Sequence, residues 1–208
     1  SPESLDELYY FVRKAAGGLA ALHSSKAHYG EVVTWADRVP DVRKIVDRLV
    51  VPIPELASAV MPLLDRLEAL DAAQPAGAPV PAHGTFKPEQ VLIHGRQIGL
   101  IDFDEFCMAE PALDIAVFLA AIKDVGLTSD DTLQSAPLRQ ERLALLASIG
   151  EAFLEEYARR APLSRERVAL WEALEYINDV LDCWIKVKPA EVTPTMLILK
   201  HHLRRMEL

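Results

Sequence analysis

The chain has 208 residues, of which 50% are apolar and 25% charged, the balance of a globular protein with a sizeable core. A formal net charge of −9 and a pI near 5.2 argue against a nucleic-acid partner, which calls for a basic stripe. No apolar run reaches the roughly 18 residues of a membrane span before an Asp, Arg or Lys interrupts it.

Helical periodicity dominates the chain from its start. Ser4 and Glu7 have capping-box spacing, and Leu5, Leu8, Tyr9, Val12, Ala16, Leu19, Ala20 and His23 follow at three- and four-residue steps. A second helix is expected over Trp35–Leu49, with Val42, Ile45, Val46 and Leu49 on one face. A third spans about Pro54 to Ala72. The Pro/Gly-rich stretch from Gln74 to Pro81 breaks the pattern as a connector. Val91-Leu92-Ile93 and Ile98-Gly99-Leu100-Ile101 then flank His94-Gly95-Arg96-Gln97, which reads as a buried β-hairpin. Helices return at about Ala112–Lys123, Leu138–Arg160, Arg165–Lys186 and Pro194–Arg205. Ser164 and Thr193 are placed as N-caps, and Pro194 as a first helical residue. The basic run Lys200 to Arg205 suits the C-terminal end of a helix dipole. The expected fold is mainly α (α+β), helical with a central β-hairpin.

Cys107 and Cys183 match no zinc or redox spacing and read as buried thiols of a reducing cytoplasm. Ser1 to Glu7 is polar and acidic, unlike a secretory signal. The expected location is cytoplasmic.

Residues with a chemical signature gather around the hairpin. His83-Gly84-Thr85-Phe86-Lys87-Pro88-Glu89-Gln90 precedes it, Asp102-Phe103-Asp104 follows it, and Glu110-Pro111-Ala112-Leu113-Asp114-Ile115-Ala116 comes next. This series resembles the core of aminoglycoside phosphotransferases and choline-kinase-like enzymes, written H-G-D-x-x-x-x-N, hairpin, I-D-F/W-D/E, then D-P-x-x-D-L-A. It also echoes the protein-kinase loop H-R-D-L-K-P-E-N through Lys87, Pro88 and Glu89. The helix ending Gly18-Leu19-Ala20-Ala21-Leu22-His23 resembles the family's first C-lobe helix.

The resemblance implies a single C-lobe of the protein-kinase-like fold over 1–208. Its parts would be a helical part at 1–73, a degenerate catalytic core at 82–119 and a second helical part at 120–208. The family's base position falls on Thr85, its metal-binding Asn position on Gln90 and its metal-binding Asp on Asp102. Asp104 would be an auxiliary metal-side carboxylate and Lys87 a phosphate contact. His83 and Asp114 resemble the residues that brace the loop backbone.

Two departures fall on the chemical positions. A threonine hydroxyl is neutral near pH 7, and losing a general base costs about 10²–10⁴ in rate. Gln90 keeps an amide oxygen but shifts it by about 1.5 Å, one C–C bond, against magnesium's narrow octahedral tolerance. Glu89 is set aside as a substitute base because its side chain points away in the resembling loop. No G-x-G-x-x-G loop and no strand-borne Lys of a first lobe occur before Ser4, so the N-lobe is expected to be absent.

The reading is therefore a catalytically inactive, phosphotransferase-like binding or regulatory module. Its rivals are the C-lobe of an active ATP-dependent small-molecule kinase whose N-lobe is missing, and a structural partner of a separately encoded N-lobe. No cofactor is expected for the isolated chain, and ATP with magnesium if an N-lobe is supplied. Trp171, Glu175 and Asp179 are the substrate-pocket candidates, because late helices line the family's acceptor pocket. Core packing is the plainer reading for Trp171 and a solvated face for the acids. With Glu172 and Asp182, the acids could attract a small cationic ligand. The expected partner is an N-lobe domain or protein, with no nucleic acid and no membrane.

Overall fold

A computed structural model describes residues 4–128 and 136–208. Helix α1 (Leu5–His23) starts on Ser4, whose hydroxyl accepts from the Glu7 N–H at 3.2 Å. It buries Val12, Ala15, Ala16, Leu19 and Ala20. After a two-residue strand β1 (Val32–Val33), helix α2 (Trp35–Leu49) begins at Thr34, whose N–H is held by the Asp37 carboxylate at 2.8 Å. Helix α3 (Pro54–Ala73) packs against α2. The expected spans of these three helices match within a residue.

The connector ends in a strand, β2 (Val80–Ala82), and a 3-10 turn at Pro88–Gln90 leads into β3 (Val91–His94) and β4 (Gln97–Leu100). Strands β3 and β4 pair antiparallel, with Val91 opposite Leu100 and His94 opposite Gln97. The intervening turn takes Gly95 at φ 57, the left-handed geometry that tight hairpins assign to glycine. Helix α1 holds the turn through Tyr10 Oη to the Gly95 carbonyl (3.1 Å) and Lys14 Nζ to the Arg96 carbonyl (2.9 Å). Gly18 lets the hairpin come close, because a Cβ there would stand 2.6 Å from Ile98 Cδ1.

The hairpin is not buried as expected. Alternation along β3 turns Val91 inward and leaves Leu92 54% exposed, with Ile101 at 44%. A second sheet escaped the sequence reading: β5 (Cys107–Ala109) lies between β1, parallel to it, and β2, antiparallel to it.

Helix α4 (Ala112–Thr128) is the centre of the core. Every residue from Ala112 to Ala120 is buried, which explains its lack of a polar face. Phe118 stacks on Phe86 at 5.1 Å and on Phe153 at 4.5 Å. Helices α5 (Ala136–Ala158), α6 (Arg165–Ile185) and α7 (Pro189–Arg205) pack around it. Ser164 caps α6 as expected, accepting from the Arg167 N–H at 3.2 Å. Helix α7 starts on Pro189, not Pro194, because Pro189 fills the first helical position equally well. Pro194 then sits inside the helix. No helix among the described residues is long and apolar enough to cross a membrane.

Candidate functional site

The loop from His83 to Lys87 lies between β2 and the 3-10 turn, over the N-terminus of α4. Asp114, in the first turn of α4 and 0% exposed, reaches under it. Its Oδ1 accepts from the Gly84 N–H at 2.8 Å, and its Oδ2 from the His83 N–H at 2.6 Å. Oδ2 also meets His23 Nε2 at 3.0 Å, and His23 Nδ1 lies 2.7 Å from Tyr157 Oη. A carboxylate only accepts, so Nε2 carries the His23 proton. Burial, then the Asp114 charge, push the Tyr157 hydroxyl well above its ordinary range, so it donates to Nδ1. A buried chain thus runs from Tyr157 through His23 and Asp114 to the loop's main chain. Sequence reading placed His23 only on the packing face of α1 and missed Tyr157, because periodicity does not reveal a buried polar partner.

His83 is 0% exposed and packs against Phe103 at 4.7 Å and Phe86 at 5.7 Å. Its Nε2 faces the Ile101 carbonyl at 2.9 Å, while Nδ1 is buried without a partner among the described residues. Gly84 has φ +88, and a Cβ there would lie 2.1 Å from the Glu105 carbonyl oxygen. Only glycine fits that approach.

Thr85 is half-buried, and Lys87 and Glu89 are exposed. Gln90 is buried, and both ends of its amide are engaged. Oε1 accepts from the Lys87 N–H at 2.7 Å, and Nε2 donates to Asp102 Oδ2 at 3.0 Å. A backbone N–H is only a donor and a carboxylate only an acceptor, so the two partners fix the amide's orientation. The Ile101 N–H bonds the Gln90 carbonyl at 3.1 Å, which keeps Gln90 and Asp102 together at the hairpin's open end. Asp102 has φ 67, left-handed backbone that Asp adopts more readily than most residues. Asp104 is exposed in the following turn. Among the described residues no three His, Cys, Asp or Glu side chains gather as a metal site.

Beside the loop lies an acidic group from α4 and α6. Asp179 is pushed up to about 7, first by burial and then by the charges of Glu175, Asp124 and Asp182, with Lys87 opposing. Burial also raises Glu175, with Arg38 and Lys87 opposing and Asp182 adding. Asp124 is raised by burial and Glu191, against Lys188 and Lys87. Lys87 therefore acts on these acids from the loop, while Arg38 acts on Glu175 from α2. Neither Asp124 nor Arg38 was singled out in the sequence, since each lies on a helix whose pattern explains it.

Trp171 does not join Glu175 and Asp179. It is 0% exposed, its indole N–H donates to Glu110 Oε1 at 2.6 Å, and its ring meets Trp35 edge-on at 5.2 Å. Arg167 holds the same Glu110 through Nε (2.9 Å) and Nη2, and bonds Asp71 through Nη1 (2.6 Å). This buried network fixes the strand end before α4. Trp171 belongs to the core.

The family model described as "Phosphotransferase enzyme family" matches residues 1–171. Among solved structures, a glucosamine kinase (crystal form B) superposes with a TM-score of 0.70 at 19% identity, covering 96% of this chain and 53% of that one. A choline/ethanolamine kinase family protein from Mesorhizobium loti gives 0.69 at 15% identity, covering 95% and 65%. An aminoglycoside-3'-phosphotransferase of type VIII gives 0.54 at 21% identity, covering 85% and 63%. These likenesses show a shared fold, and the chain spans between half and two thirds of each structure's length. No curated protein sequence matches it.

Proposed function

The chain belongs to the phosphotransferase enzyme family, and we propose that it is a kinase-like C-lobe that binds or regulates and does not transfer phosphate. The observation that carries this reading is the Gln90 amide. Phosphoryl transfer has a loose transition state, so the protein's contribution is positioning and neutralisation of charge. A metal-side amide contributes only by offering an oxygen lone pair. Here that oxygen is turned toward the Lys87 N–H, which holds one of its two lone pairs, and the amide presents its N–H side to Asp102 instead.

The residues present do not fit a magnesium nucleotide as they stand. To bring its oxygen to a metal shared with Asp102, Gln90 must turn, strand the Lys87 amide and give up its bond to Asp102. An unmade hydrogen bond of that kind costs about 1–3 kcal/mol. Thr85 supplies no base near pH 7. Asp102 and the exposed Asp104 remain as carboxylates without the partner that would complete a site.

The acids beside the loop give the binding role a chemistry. Burial raises Asp179, to about 7, and Glu175, and the charges of Glu175, Asp124 and Asp182 add to the shift at Asp179; an arriving ammonium would relieve that repulsion. The proposed ligand is a small cationic molecule, with Glu175 and Asp179 as contacts. Lys87 serves as counter-charge to the acids rather than as a phosphate contact.

A second reading, the C-lobe of an active ATP-dependent kinase, is favoured by one feature. Leu92, Ile101 and Phe103 stand 54%, 44% and 39% exposed along the hairpin, an apolar face that a further lobe or a nucleotide base would cover.

Calorimetry with magnesium-ATP, on this chain and on the full-length gene product, separates the two readings. The expected result is no affinity tighter than about 1 mM, roughly −4 kcal/mol of binding free energy. Micromolar affinity in either protein would overturn the non-catalytic reading.

A further inference from the structure

A cavity of about 400 Å³ opens between the C-terminal end of α3 and helices α4, α5, α6 and α7, and none of the loop residues lines it. Its floor carries charge in unusual depth. The Lys123 and Glu172 side chains are 10% and 9% exposed, and they form an ion pair at 2.8 Å. Tyr176, fully buried, accepts from Lys123 Nζ at 2.8 Å and donates to the same Glu172 oxygen, Oε1, at 2.6 Å. Well-packed apolar residues would often stabilise such a site as well or better, so stability alone gives no reason for the cluster. The proposed loop function does not use it either.

Two acceptors on this floor have no partner among the described residues. Oε1 of Glu172 takes both bonds from its neighbours, which leaves Oε2 without one. His202, 6% exposed, sets Nε2 against the Ala169 carbonyl at 2.7 Å, so Nε2 carries the proton. Burial lowers its affinity for a second proton, and in the neutral ring Nδ1 offers a lone pair. Neither Oε2 nor Nδ1 is enclosed without a partner, and both residues line the cavity.

The rim has the opposite character. Arg165 lies 2.6 Å and Arg205 3.9 Å from the single carboxylate of Glu151, two guanidinium groups sharing one anion. Over the whole lining, Lys123, Arg165 and Arg205 balance Glu151, Glu166 and Glu172. A ligand of either net charge would upset that balance. A neutral molecule with donors at one end and an anion at the other would preserve it.

We propose that this cavity is a binding site for a small zwitterion of the α-amino-acid class, its ammonium group on Glu172 and His202 and its carboxylate on Arg205. The volume lies near the lower end of the roughly 300–1,000 Å³ typical of ligand pockets, which suits a molecule of that size. The site lies apart from the loop and stands whether or not the loop transfers phosphate.

Calorimetry with the twenty common L-amino acids, one at a time, tests it, with acetate and methylamine as single-charge controls. At least one amino acid is expected to bind with a Kd below about 1 mM, and both controls more than about tenfold more weakly. Arg205→Ala changes an exposed rim residue and should fold, yet weaken that amino acid about tenfold, the scale of one charge-assisted hydrogen bond. Glu172→Gln removes the counter-charge of Lys123 and puts the fold at risk, so Arg205→Ala decides. The proposal is overturned if no amino acid binds below about 1 mM, if a control binds within about tenfold of it, or if Arg205→Ala binds like the parent.

Discussion

Asp114→Ala should be among the most destabilising single changes in this chain. The carboxylate is 0% exposed and accepts from three N–H groups, those of His83, Gly84 and His23, at 2.6 to 3.0 Å. Alanine strands all three, and each buried, unpaired donor costs about 1–3 kcal/mol. A simple sum reaches about 9 kcal/mol, but water entering the vacated space re-satisfies part of it. The range of about 3–5 kcal/mol found for breaking buried charged pairs is the better guide. For a domain of this size each kcal/mol moves Tm by about 2–4 °C, so the expected drop is about 6–20 °C. Tyr157→Phe removes only the far end of the chain and strands one histidine nitrogen, so it should cost far less. Thr85→Asp adds a charge to a half-buried cleft position and should stay within about 0.5 kcal/mol of the parent. Calorimetric or circular-dichroism melts of the three variants check the order. If Asp114→Ala melts with the parent, the carboxylate does not hold the loop and the account of the site fails.

Two glycines make a controlled comparison. Gly84→Ala places a Cβ 2.1 Å from a backbone oxygen, whereas Gly95→Ala, also left-handed, meets nothing within 4 Å. The second should cost about 1–2 kcal/mol of backbone strain and the first clearly more, and urea midpoints of the two variants will show whether it does. Asp179 gives a pH signature with a definite sign. Its folded value of about 7 lies above the ordinary carboxylate value of 3.8, so between those limits the folded chain holds a proton that the unfolded chain has lost. Stability should then fall as pH rises from about 4 to about 7 and level off above. Asp179→Asn is expected to raise Tm at pH 8 and leave it unchanged below pH 4. An equal gain at both pH values, or none at pH 8, would refute the half-buried acidic group.

The helices were legible because their apolar residues recur at 3.6-residue intervals and several carry a cap, as Ser4 and Ser164 do. The sheet of β1, β5 and β2 was not, because strands of two or three residues are too short to show a period. Their partners also stand as far apart as Val32 and Met108. Adjacent apolar residues made the hairpin look buried on both faces, although the pleat of β3 turns alternate residues outward. Two prolines five residues apart gave α7 two possible starts, and local pattern did not choose between them. At the site, motif spacing brought out His83, Gln90, Asp102 and Asp114 together. What it did not reveal was direction. Sequence names the Gln90 amide but not which partner its oxygen takes. Trp171 was ambiguous for a related reason, since an aromatic on a long amphipathic helix fits a core or a pocket wall until its partner, Glu110, is known.

The loop is held in a way that separates its shape from its chemistry. Asp114 grips the amides of His83 and Gly84, His83 grips the Ile101 carbonyl, and Gly84 admits the Glu105 carbonyl. Each of these contacts touches main chain, and none involves the side chain of Thr85 or Lys87. The geometry of the loop therefore places little demand on what stands at those two positions. Gln90 is the exception, since its own side chain closes the turn onto the Lys87 amide. An asparagine there, one methylene shorter, would reach that amide less well, and its oxygen would be freer to face the hairpin's open end. Glutamine at this place stabilises the turn through its bond to the Lys87 amide. Substitutions at Thr85 should alter what the cleft binds while leaving stability alone. Gln90→Asn should lower stability and, alone among changes to the loop's side chains, bring the site nearer to one that can hold a cation.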